Sequence, residues 1–217
     1  MPPLALCAGT LTSTRKCYLY ACSSFTPLPM SLIALEKTRA RLQAKAIRGA
    51  VTSNHAGASI ELINHFPAGT FQNAIIGGFW PMGDEIDILP LMSALLEMGH
   101  TIALPAVTRK NHPLEFRRYH IGDALERGPH GTRQPPKSSE TLRPNLILMP
   151  LLAFTHLGER LGYGGGYYDR TLAKLRESHD VFACGVAYAA QEAQILPTEP
   201  HDMRLNGILT EIEFRRF

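Results

Sequence analysis

The spacing of hydrophobic residues predicts a long amphipathic helix over residues 31–51. Strong helix formers fill this stretch, and leucine and isoleucine recur in it at spacings typical of one helix side. The apolar side is predicted to consist of Leu32, Leu35, Leu42 and Ile47. Because lysines and arginines occupy the positions around them, we expect the apolar side to face the core and the charges to face water.

Predicted helices and strands alternate along the rest of the chain. Helices are predicted at residues 58–66, 87–98 and 167–177. Apolar runs predict strands at 74–80, 101–107, 114–119, 145–150, 181–188 and 208–214. Residues 122–143 contain several glycines and prolines and are predicted to form a long loop. This alternation predicts a single α/β domain with a mainly parallel sheet flanked by helices.

The composition indicates a globular protein. The 217 residues are 45% hydrophobic and 19% charged, which is typical of folded domains and excludes disorder throughout the chain. The length is typical of one domain. No stretch approaches about 18 consecutive apolar residues, so the sequence predicts neither a transmembrane helix nor a membrane partner.

Most of the net charge of +3, which accompanies a pI near 8.7, lies in the first thirty residues. Residues 1–30 contain Arg15 and Lys16 and no acidic residue, so residues 31–217 are close to neutral. This weak basic excess argues against a nucleic-acid partner. We predict that residues 1–30 are a disordered extension or leader, and that residues 31–217 form the domain. The predicted location is cytoplasmic if the protein naturally starts at Met30, and organellar if the segment is a transit peptide.

The spacing of cysteine and histidine argues against a zinc centre. Cys7, Cys17 and Cys22 lack CxxC spacing and a nearby histidine, and the nine histidines form no HExxH motif. Cys184 lies in an apolar run and is predicted to be an inert core residue. One cysteine in the predicted domain is typical of a reducing compartment.

The glycine-rich stretch from Arg160 to Arg170, with the sequence RLGYGGGYYDR, is the most informative motif. It follows an apolar strand and precedes an amphipathic helix, which predicts a position at the carboxyl edge of the sheet, where ligands bind. Its glycines leave backbone amides free to face an anion, and the dipole of the next helix adds positive potential. It matches neither GxxxxGK[ST] nor GxGxxG. We therefore predict a phosphate-binding loop of another type at residues 162–166.

From the residues alone, other interpretations of this stretch are open. The glycines can form a tight turn without any ligand. Asp169 can stabilise the start of the helix, or it can reach a magnesium ion that bridges bound phosphates. Tyr167 and Tyr168 can pack in the core or line a flat ligand.

Four stretches, in the same order, resemble motifs of the 5-formyltetrahydrofolate cyclo-ligase family, also called methenyltetrahydrofolate synthetases. The resemblance runs from about Lys37 to Glu211, and the glycine signature is its most specific part. The motifs are Lys37-x-x-x-Arg41 with Arg48 beyond, WPMGDEID at 80–87, RLGYGGGYYD at 160–169, and GVAYAAQ at 185–191 with PTEPHD at 197–202.

The resemblance implies an enzyme that converts 5-formyltetrahydrofolate and ATP to 5,10-methenyltetrahydrofolate, ADP and phosphate, with Mg²⁺ as cofactor. The folate's own N10 would close the ring on a phosphorylated formyl group, so no catalytic protein nucleophile is implied. The implied ATP-binding residues are Lys37, Arg41, Leu161, Gly162, Tyr163, Gly164, Gly165, Gly166, Tyr167, Tyr168 and Asp169. The implied folate-binding residues are Trp80, Glu85, Gly164, Gly165, Gly166, Tyr167 and Tyr168. The implied metal ligands are Asp169 and Asp202.

Three positions depart from the family pattern. Thr155 stands where the family usually has Asp, Asn206 where an acid is common, and Gln134 where Glu is common before proline. A carboxylate role is therefore not carried over to Thr155. Two alternatives to the ligase are a nucleotide- or folate-binding protein without catalysis and a sugar-phosphate isomerase or transferase on a related scaffold. We expect a monomer whose partners are ATP and 5-formyltetrahydrofolate.

Overall fold

The α-helices lie close to their predicted positions. The structure, a computed structural model, describes residues 31–52, 55 and 57–217. Over these residues it has helices α1 (Leu32–Thr52), α2 (Ala58–His65), α3 (Leu89–Glu97) and α4 (Tyr167–Arg176). The predictions for residues 1–30, including those for their three cysteines, lie outside the described residues. None of the described helices is both long enough and apolar enough to span a membrane.

The strands are short, and several were not visible in the sequence pattern. They are β1 (Ile75–Gly77), β2 (Thr101–Ala106), β3 (Glu115–Arg118), β4 (Glu126–Arg127), β5 (Arg133–Gln134), β6 (Thr141–Leu142), β7 (Leu146–Pro150), β8 (Ala153–Phe154), β9 (Arg160–Leu161), β10 (Phe182–Val186), β11 (Gly207–Leu209) and β12 (Phe214–Arg216). Short 3₁₀ helices occupy Ala68–Thr70, Pro129–Gly131 and Ala189–Gln191.

Eight strands form one sheet in the order β12-β11-β10-β7-β1-β2-β3-β6. The five central strands, from β11 to β2, are mutually parallel, and the antiparallel pairs lie towards the edges. This confirms the predicted α/β fold with a mainly parallel sheet. The central strands are buried on both faces, and continuous apolar runs such as β7 satisfy that requirement. Two separate hairpins, β4–β5 and β8–β9, lie outside the main sheet.

Two predicted segments are wrong in detail. The single strand expected at 208–214 is two antiparallel strands, because a turn between Thr210 and Glu213 separates β11 from β12. In that turn the Thr210 hydroxyl accepts hydrogen bonds from the amides of Ile212 and Glu213. The long loop expected at 122–143 contains the β4–β5 hairpin and strand β6. Strands of two residues carry no hydrophobic period, so the pattern did not reveal them.

The predicted orientation of α1 is also wrong. Its leucine and isoleucine side faces outward, with Leu32 73% exposed and Leu42 66% exposed. The buried residues of the helix are Lys37, Ala44 and Arg48. The cationic side is buried because acidic side chains and carbonyl oxygens from distant segments satisfy its charges. As a result, α1 presents Lys37 and Arg48 to the interior of the protein, while Arg39 and Lys45 are exposed.

The core lies on both faces of the sheet. Ile76, Ile102 and Leu148 belong to the cluster on one face, and Ile147 and Ile208 belong to the cluster on the other. Adjacent residues of β7 therefore point to opposite faces, as expected for a strand. Cys184 is buried and free, which confirms the prediction of a core cysteine. Burial raises the pKa of its thiol to about 12, so it stays protonated and unreactive at neutral pH.

Candidate active site

The glycine loop, residues 162–166, lies between the β8–β9 hairpin and the start of α4. The hairpin follows the carboxyl end of β7, a central parallel strand, so the loop is reached from the ligand-binding edge of the sheet. Gly164 and Gly166 have φ values of 97° and 60°, in the region that favours glycine. A Cβ on Gly166 would displace only the terminal guanidinium of Arg170, so the backbone angle is what favours glycine here.

The loop offers unpaired backbone donors. Within the described part of the chain, the amides of Gly164, Gly165 and Gly166 donate no hydrogen bond. They stand directly before α4, where the helix dipole contributes positive potential. Arg41 approaches from α1 and donates through Nε to the carbonyl of Gly162 at 3.0 Å. Exposed amides at a helix start beside a guanidinium are typical of an anion site.

Lys37 lies one helical turn before Arg41 and is 7% exposed. Its Nζ lies 2.6 Å from Asp202 Oδ2 and 2.7 Å from Glu199 Oε2. Burial alone would lower the pKa of Lys37, but the hydrogen bonds to the two carboxylates raise it above its ordinary value. Burial likewise tends to raise the pKa of Asp202, and the hydrogen bond from Lys37 brings it below its ordinary value. The ammonium and the carboxylate are therefore both charged at neutral pH.

Glu85 contacts the glycine loop through Tyr163, and its side chain is 2% exposed. The Tyr163 hydroxyl donates to its Oε1 at 2.6 Å, and the Met82 amide donates to its Oε2 at 2.9 Å. Arg48 is 4.0 Å away. Burial raises the pKa of Glu85, against the opposing effect of the two hydrogen bonds and of Arg48. Glu85 is therefore a buried carboxyl that gains a proton more readily than an ordinary glutamate.

Arg48 belongs to the first family-like motif but is not one of the predicted site residues. It is 3% exposed, and its guanidinium donates to Asp84 at 2.5 Å. Thr52, one turn further along α1, donates its hydroxyl to the Asp84 carbonyl at 2.9 Å. These contacts fix the segment that carries Glu85. Arg48 follows Lys37 and Arg41 at a spacing that places all three on one side of the helix. This spacing is the signal in the sequence that identifies Arg48 as a site residue.

Asp169 is held by Arg160, which was also not predicted as a site residue. Arg160 donates to Asp169 Oδ1 at 2.5 Å, and the Met203 amide donates to the same oxygen at 3.0 Å. Asp169 therefore contacts the backbone next to Asp202, although the two acids are far apart in sequence. A cavity of about 400 Å³ is lined by Asp202 and Glu199 together with Arg160 and Met203, the two residues that contact Asp169.

Carboxylate oxygens at the cavity are of the kind that magnesium prefers as ligands. Glu199, His201 and Asp202 offer ligand atoms within 4.8 Å of one another. Among the described residues, neither Asp169 Oδ2 nor Asp202 Oδ1 accepts a hydrogen bond, and His201 Nε2 lies 4.0 Å from Asp202 Oδ1. Magnesium is usually bound by one or two carboxylates together with substrate phosphates. Asp202 belongs to this group of candidate ligand atoms, whereas Asp169 lies outside the group and offers a free carboxylate oxygen.

The aromatic residues of the predicted site differ in their surroundings. Trp80 is partly buried and packs edge-on against Tyr119, with ring centroids 6.3 Å apart. Tyr168 packs against the core cluster that contains Ile147, and burial, with the nearby charge of Glu85, raises the pKa of its hydroxyl. The ring of Tyr167 lies 5.3 Å from the Arg170 guanidinium. The charge of Glu85 contributes to the raised pKa of two tyrosines, Tyr163 in the loop and Tyr168 in α4.

Thr155 has a structural role in the β8–β9 hairpin. It is fully buried, and its hydroxyl accepts hydrogen bonds from the amides of Leu157 and Glu159 at 3.3 Å each. The hydroxyl also donates to the Glu159 carboxylate at 3.2 Å. A side-chain oxygen that caps a turn in this way is a role that Thr and Asp share.

The other two positions that differ from the family pattern, Asn206 and Gln134, also make structural hydrogen bonds. Asn206 Oδ1 accepts hydrogen bonds from Arg176 at 2.7 Å and from the Ala183 amide at 2.8 Å. Gln134 Oε1 accepts a hydrogen bond from the Val107 amide at 3.1 Å. The amide side chains therefore connect neighbouring parts of the fold at these two positions.

Comparison with known proteins identifies the family. The sequence model of the 5-formyltetrahydrofolate cyclo-ligase family matches residues 34–211. A 5-formyltetrahydrofolate cyclo-ligase from Mycolicibacterium smegmatis is 35% identical over 139 residues, which cover 60% of this chain and 70% of the relative. One from Haemophilus influenzae is 31% identical over 136 residues, covering 60% and 72% of the two chains.

Solved structures agree with these relatives. The NMR structure of Aquifex aeolicus 5,10-methenyltetrahydrofolate synthetase superposes with a TM-score of 0.65 and 26% identity, covering 83% of this chain and 92% of that one. The Mycoplasma pneumoniae 5,10-methenyltetrahydrofolate synthetase has a TM-score of 0.62 at 19% identity, over 81% and 99% of the two chains, and supports the fold. From its motifs, its fold and these relatives, the chain belongs to the 5-formyltetrahydrofolate cyclo-ligase family and is a ligase.

Proposed function

We propose that this ligase uses ATP to cyclise 5-formyltetrahydrofolate to 5,10-methenyltetrahydrofolate, with release of ADP and phosphate. The observation that carries the proposal is the position of the glycine loop. Its unpaired amides and the Arg41 guanidinium offer a phosphate site. Within the same loop, Tyr163 connects to the buried Glu85. Two chemically different ligands, an anion and a hydrogen-bonding heterocycle, would therefore meet at one loop.

The chemistry needs positioning more than a reactive side chain. The formyl oxygen of the substrate is a poor leaving group until it receives the γ-phosphoryl group of ATP. The resulting iminium phosphate is attacked by the folate's own N10, which forms the new C–N bond and loses its proton as the C–O bond breaks and phosphate leaves. Catalysis then consists of holding the two substrates in line and neutralising charge on the transferred group.

On the nucleotide side, we propose that Arg41 and Lys37 bind ATP phosphates together with the loop amides. Arg41 already lies at the loop, 3.0 Å from the Gly162 carbonyl. Lys37 is held beside it by Asp202 and Glu199, at one wall of the cavity. The flanking residues Leu161, Tyr163, Tyr167 and Tyr168 would complete the nucleotide-binding segment.

Magnesium is proposed to be held by Asp169 and Asp202 together with ATP phosphates. When bound there, the ion would neutralise phosphate charge and so favour attack of the formyl oxygen on the γ-phosphorus. Within this chain, Arg160 orients Asp169 through Oδ1, and Lys37 orients Asp202 through Oδ2. Each carboxylate thus keeps its other oxygen available for the ion.

On the folate side, we propose that Glu85 orients the pterin by hydrogen bonds, while Trp80 and Tyr168 form apolar walls. The burial of Glu85 strengthens any hydrogen bond it makes to a substrate, because the local dielectric is low. Gly164, Gly165, Gly166 and Tyr167 would lie between the folate and the nucleotide, near the reacting formyl group.

The proposal also covers the domain that carries the activity, its location and its partners. We propose that residues 31–217 carry the activity, that residues 1–30 are an extension, and that the enzyme acts in the cytoplasm as a monomer. Its partners would be ATP and 5-formyltetrahydrofolate rather than nucleic acid. A near-neutral domain charge supports small-molecule partners.

One assay tests the proposal. Purified protein is incubated with 5-formyltetrahydrofolate, ATP and MgCl₂, and the methenyl product is followed by its absorbance while ADP is quantified in parallel. We expect product and ADP in equal amounts and none when ATP is omitted. Binding of both ligands without product would instead indicate a binding protein. Turnover of a sugar phosphate without ATP would indicate the isomerase or transferase class.

A further inference from the structure

We propose that Tyr163 couples the nucleotide and folate sites, so that each ligand raises the affinity of the enzyme for the other. The inference rests on the proposed function, because it requires an ATP site and a folate site that both contact the glycine loop. Tyr163 would act as a positioning residue in this role, through Glu85 and the loop backbone.

Two consecutive residues connect the loop to the two proposed sites. The Gly162 carbonyl accepts a hydrogen bond from Arg41, a proposed phosphate-binding residue, at 3.0 Å. The next residue, Tyr163, donates its hydroxyl to Glu85, the proposed pterin-binding residue, at 2.6 Å. Because the two contacts are made by neighbouring residues, a shift of the loop changes both of them together.

The tip of the loop is exposed to solvent. Residues 163–165 are exposed, and the Tyr163 residue itself is 44% exposed. Its ring lies near two cations of α1, with Lys45 Nζ at 5.8 Å and the Arg48 guanidinium at 5.5 Å from the ring centroid. The burial of Tyr163's hydroxyl region and the adjacent Glu85 charge raise the pKa of this tyrosine, so it remains a hydrogen-bond donor. A few directional contacts therefore hold an otherwise exposed segment.

Each ligand would favour the same arrangement of the loop. Phosphates on the loop amides fix the backbone at residues 162–166, and the fixed backbone keeps the Tyr163 hydroxyl on Glu85. A folate bound to Glu85 holds that carboxyl in place, and the tyrosine then holds the loop for the phosphates. A ligand shifts an equilibrium only by its differential affinity for the two states, and such coupling is reciprocal.

The test is a thermodynamic cycle on the full chain. The dissociation constant of 5-formyltetrahydrofolate is measured by calorimetry with and without a saturating ATP analogue whose γ-phosphoryl group is not transferable, in the presence of Mg²⁺. We expect the analogue to tighten folate binding by about fivefold or more in the wild type. In Tyr163→Phe, which removes only the hydroxyl, we expect the factor to fall to within about twofold of unity, since the loop–Glu85 hydrogen bond is lost.

Tyr188→Phe is the matched control. It removes a tyrosine hydroxyl outside the proposed binding residues, since the Tyr188 ring lies near His55 and, among the described residues, its hydroxyl makes no hydrogen bond to Glu85. We expect it to keep the wild-type factor. An unchanged factor in Tyr163→Phe, or a wild-type factor of one, overturns the coupling while leaving the proposed function standing. Failure of the wild type to bind either ligand overturns both.

Discussion

Lys37 Nζ and Asp202 Oδ2 are 2.6 Å apart, although the two residues are separated by 165 positions in the chain. This ion pair joins the first helix to the C-terminal segment at the wall of the cavity. It also means that two residues predicted for different tasks, phosphate binding and magnesium binding, contact each other directly. The approach of MgATP would have to replace or share this contact.

Replacing Lys37 by alanine tests its role toward the phosphates. A hydrogen bond to a charged group contributes about 1.5–3 kcal/mol, so we expect Lys37→Ala to raise the KM for ATP about tenfold or more. The KM for the folate should change much less. Steady-state kinetics with each substrate varied in turn measure both values.

Arg39→Ala is the control for that experiment, because Arg39 lies on the exposed side of the same helix. It should leave both KM values within about twofold of wild type. If Lys37→Ala has the same KM for ATP as the wild type, Lys37 does not bind the ATP phosphates.

Asp202→Asn tests the magnesium ligands. Since the amide is a weaker ligand and leaves Lys37 with one carboxylate partner, the Mg²⁺ concentration for half-maximal ATP binding should rise about tenfold. Asp180→Asn, at an exposed position before β10, is the matched control and should keep the wild-type requirement. Calorimetric titration of ATP at several Mg²⁺ concentrations measures the change. A wild-type Mg²⁺ dependence in Asp202→Asn would exclude this carboxylate as a ligand.

Glu85→Gln tests the buried carboxyl through the pH dependence of stability. The fold favours the protonated form, because burial raises the pKa of Glu85 above its ordinary value of 4.5. The stability that this group contributes is therefore complete below about pH 4.5 and is lost as the pH rises through the raised pKa. Glutamine resembles the neutral form, so the variant should be more stable than the wild type at pH 7 and not at pH 4.

Thermal unfolding across pH 4–8 measures the Glu85→Gln difference, where each 1 kcal/mol corresponds to about 2–4 °C. The same variant should bind 5-formyltetrahydrofolate more weakly, because it lacks the charge that orients the pterin. A wild type equal to or more stable than the variant at pH 7 would contradict the assigned direction of the pKa shift.

Thr155→Val tests whether the hairpin hydroxyl is structural. Valine has nearly the same shape but leaves the amides of Leu157 and Glu159 without their acceptor, so unfolding should become easier by about 1–2 kcal/mol. Thr155→Ser keeps the hydroxyl and should lose less. Urea denaturation compares the three proteins. Equal stability of Thr155→Val and the wild type would show that the turn does not depend on this oxygen.

Local patterns were sufficient for most of the fold. The helices and the buried strands were predicted because period-3.6 spacing and apolar runs are properties of short stretches. The glycine loop was located for the same reason, since its residues are consecutive. The two-residue strands and the turn between Thr210 and Glu213 were missed, because their pairing is set by neighbours from elsewhere in the chain.

The orientation of α1 shows where sequence patterns stop being informative. Its apolar side was predicted to be buried, yet Leu42 is exposed while Lys37 and Arg48 are buried. Burying a cation is favourable only when an opposite charge meets it with good geometry. For Lys37 and Arg48 those charges come from Asp202, Glu199 and Asp84, and periodicity within the helix contains no information about them.

The sequence by itself determined the order of helices and strands, the glycine loop and the family-like motifs, because each of these depends on residues that are close together in the chain. The tertiary structure alone decided which charged groups meet. It joined Lys37 to Asp202, and Tyr163 to Glu85, across the fold. Such pairs depend on the three-dimensional path of the whole chain, since their energy is gained only when distant segments bring complementary groups within hydrogen-bond distance.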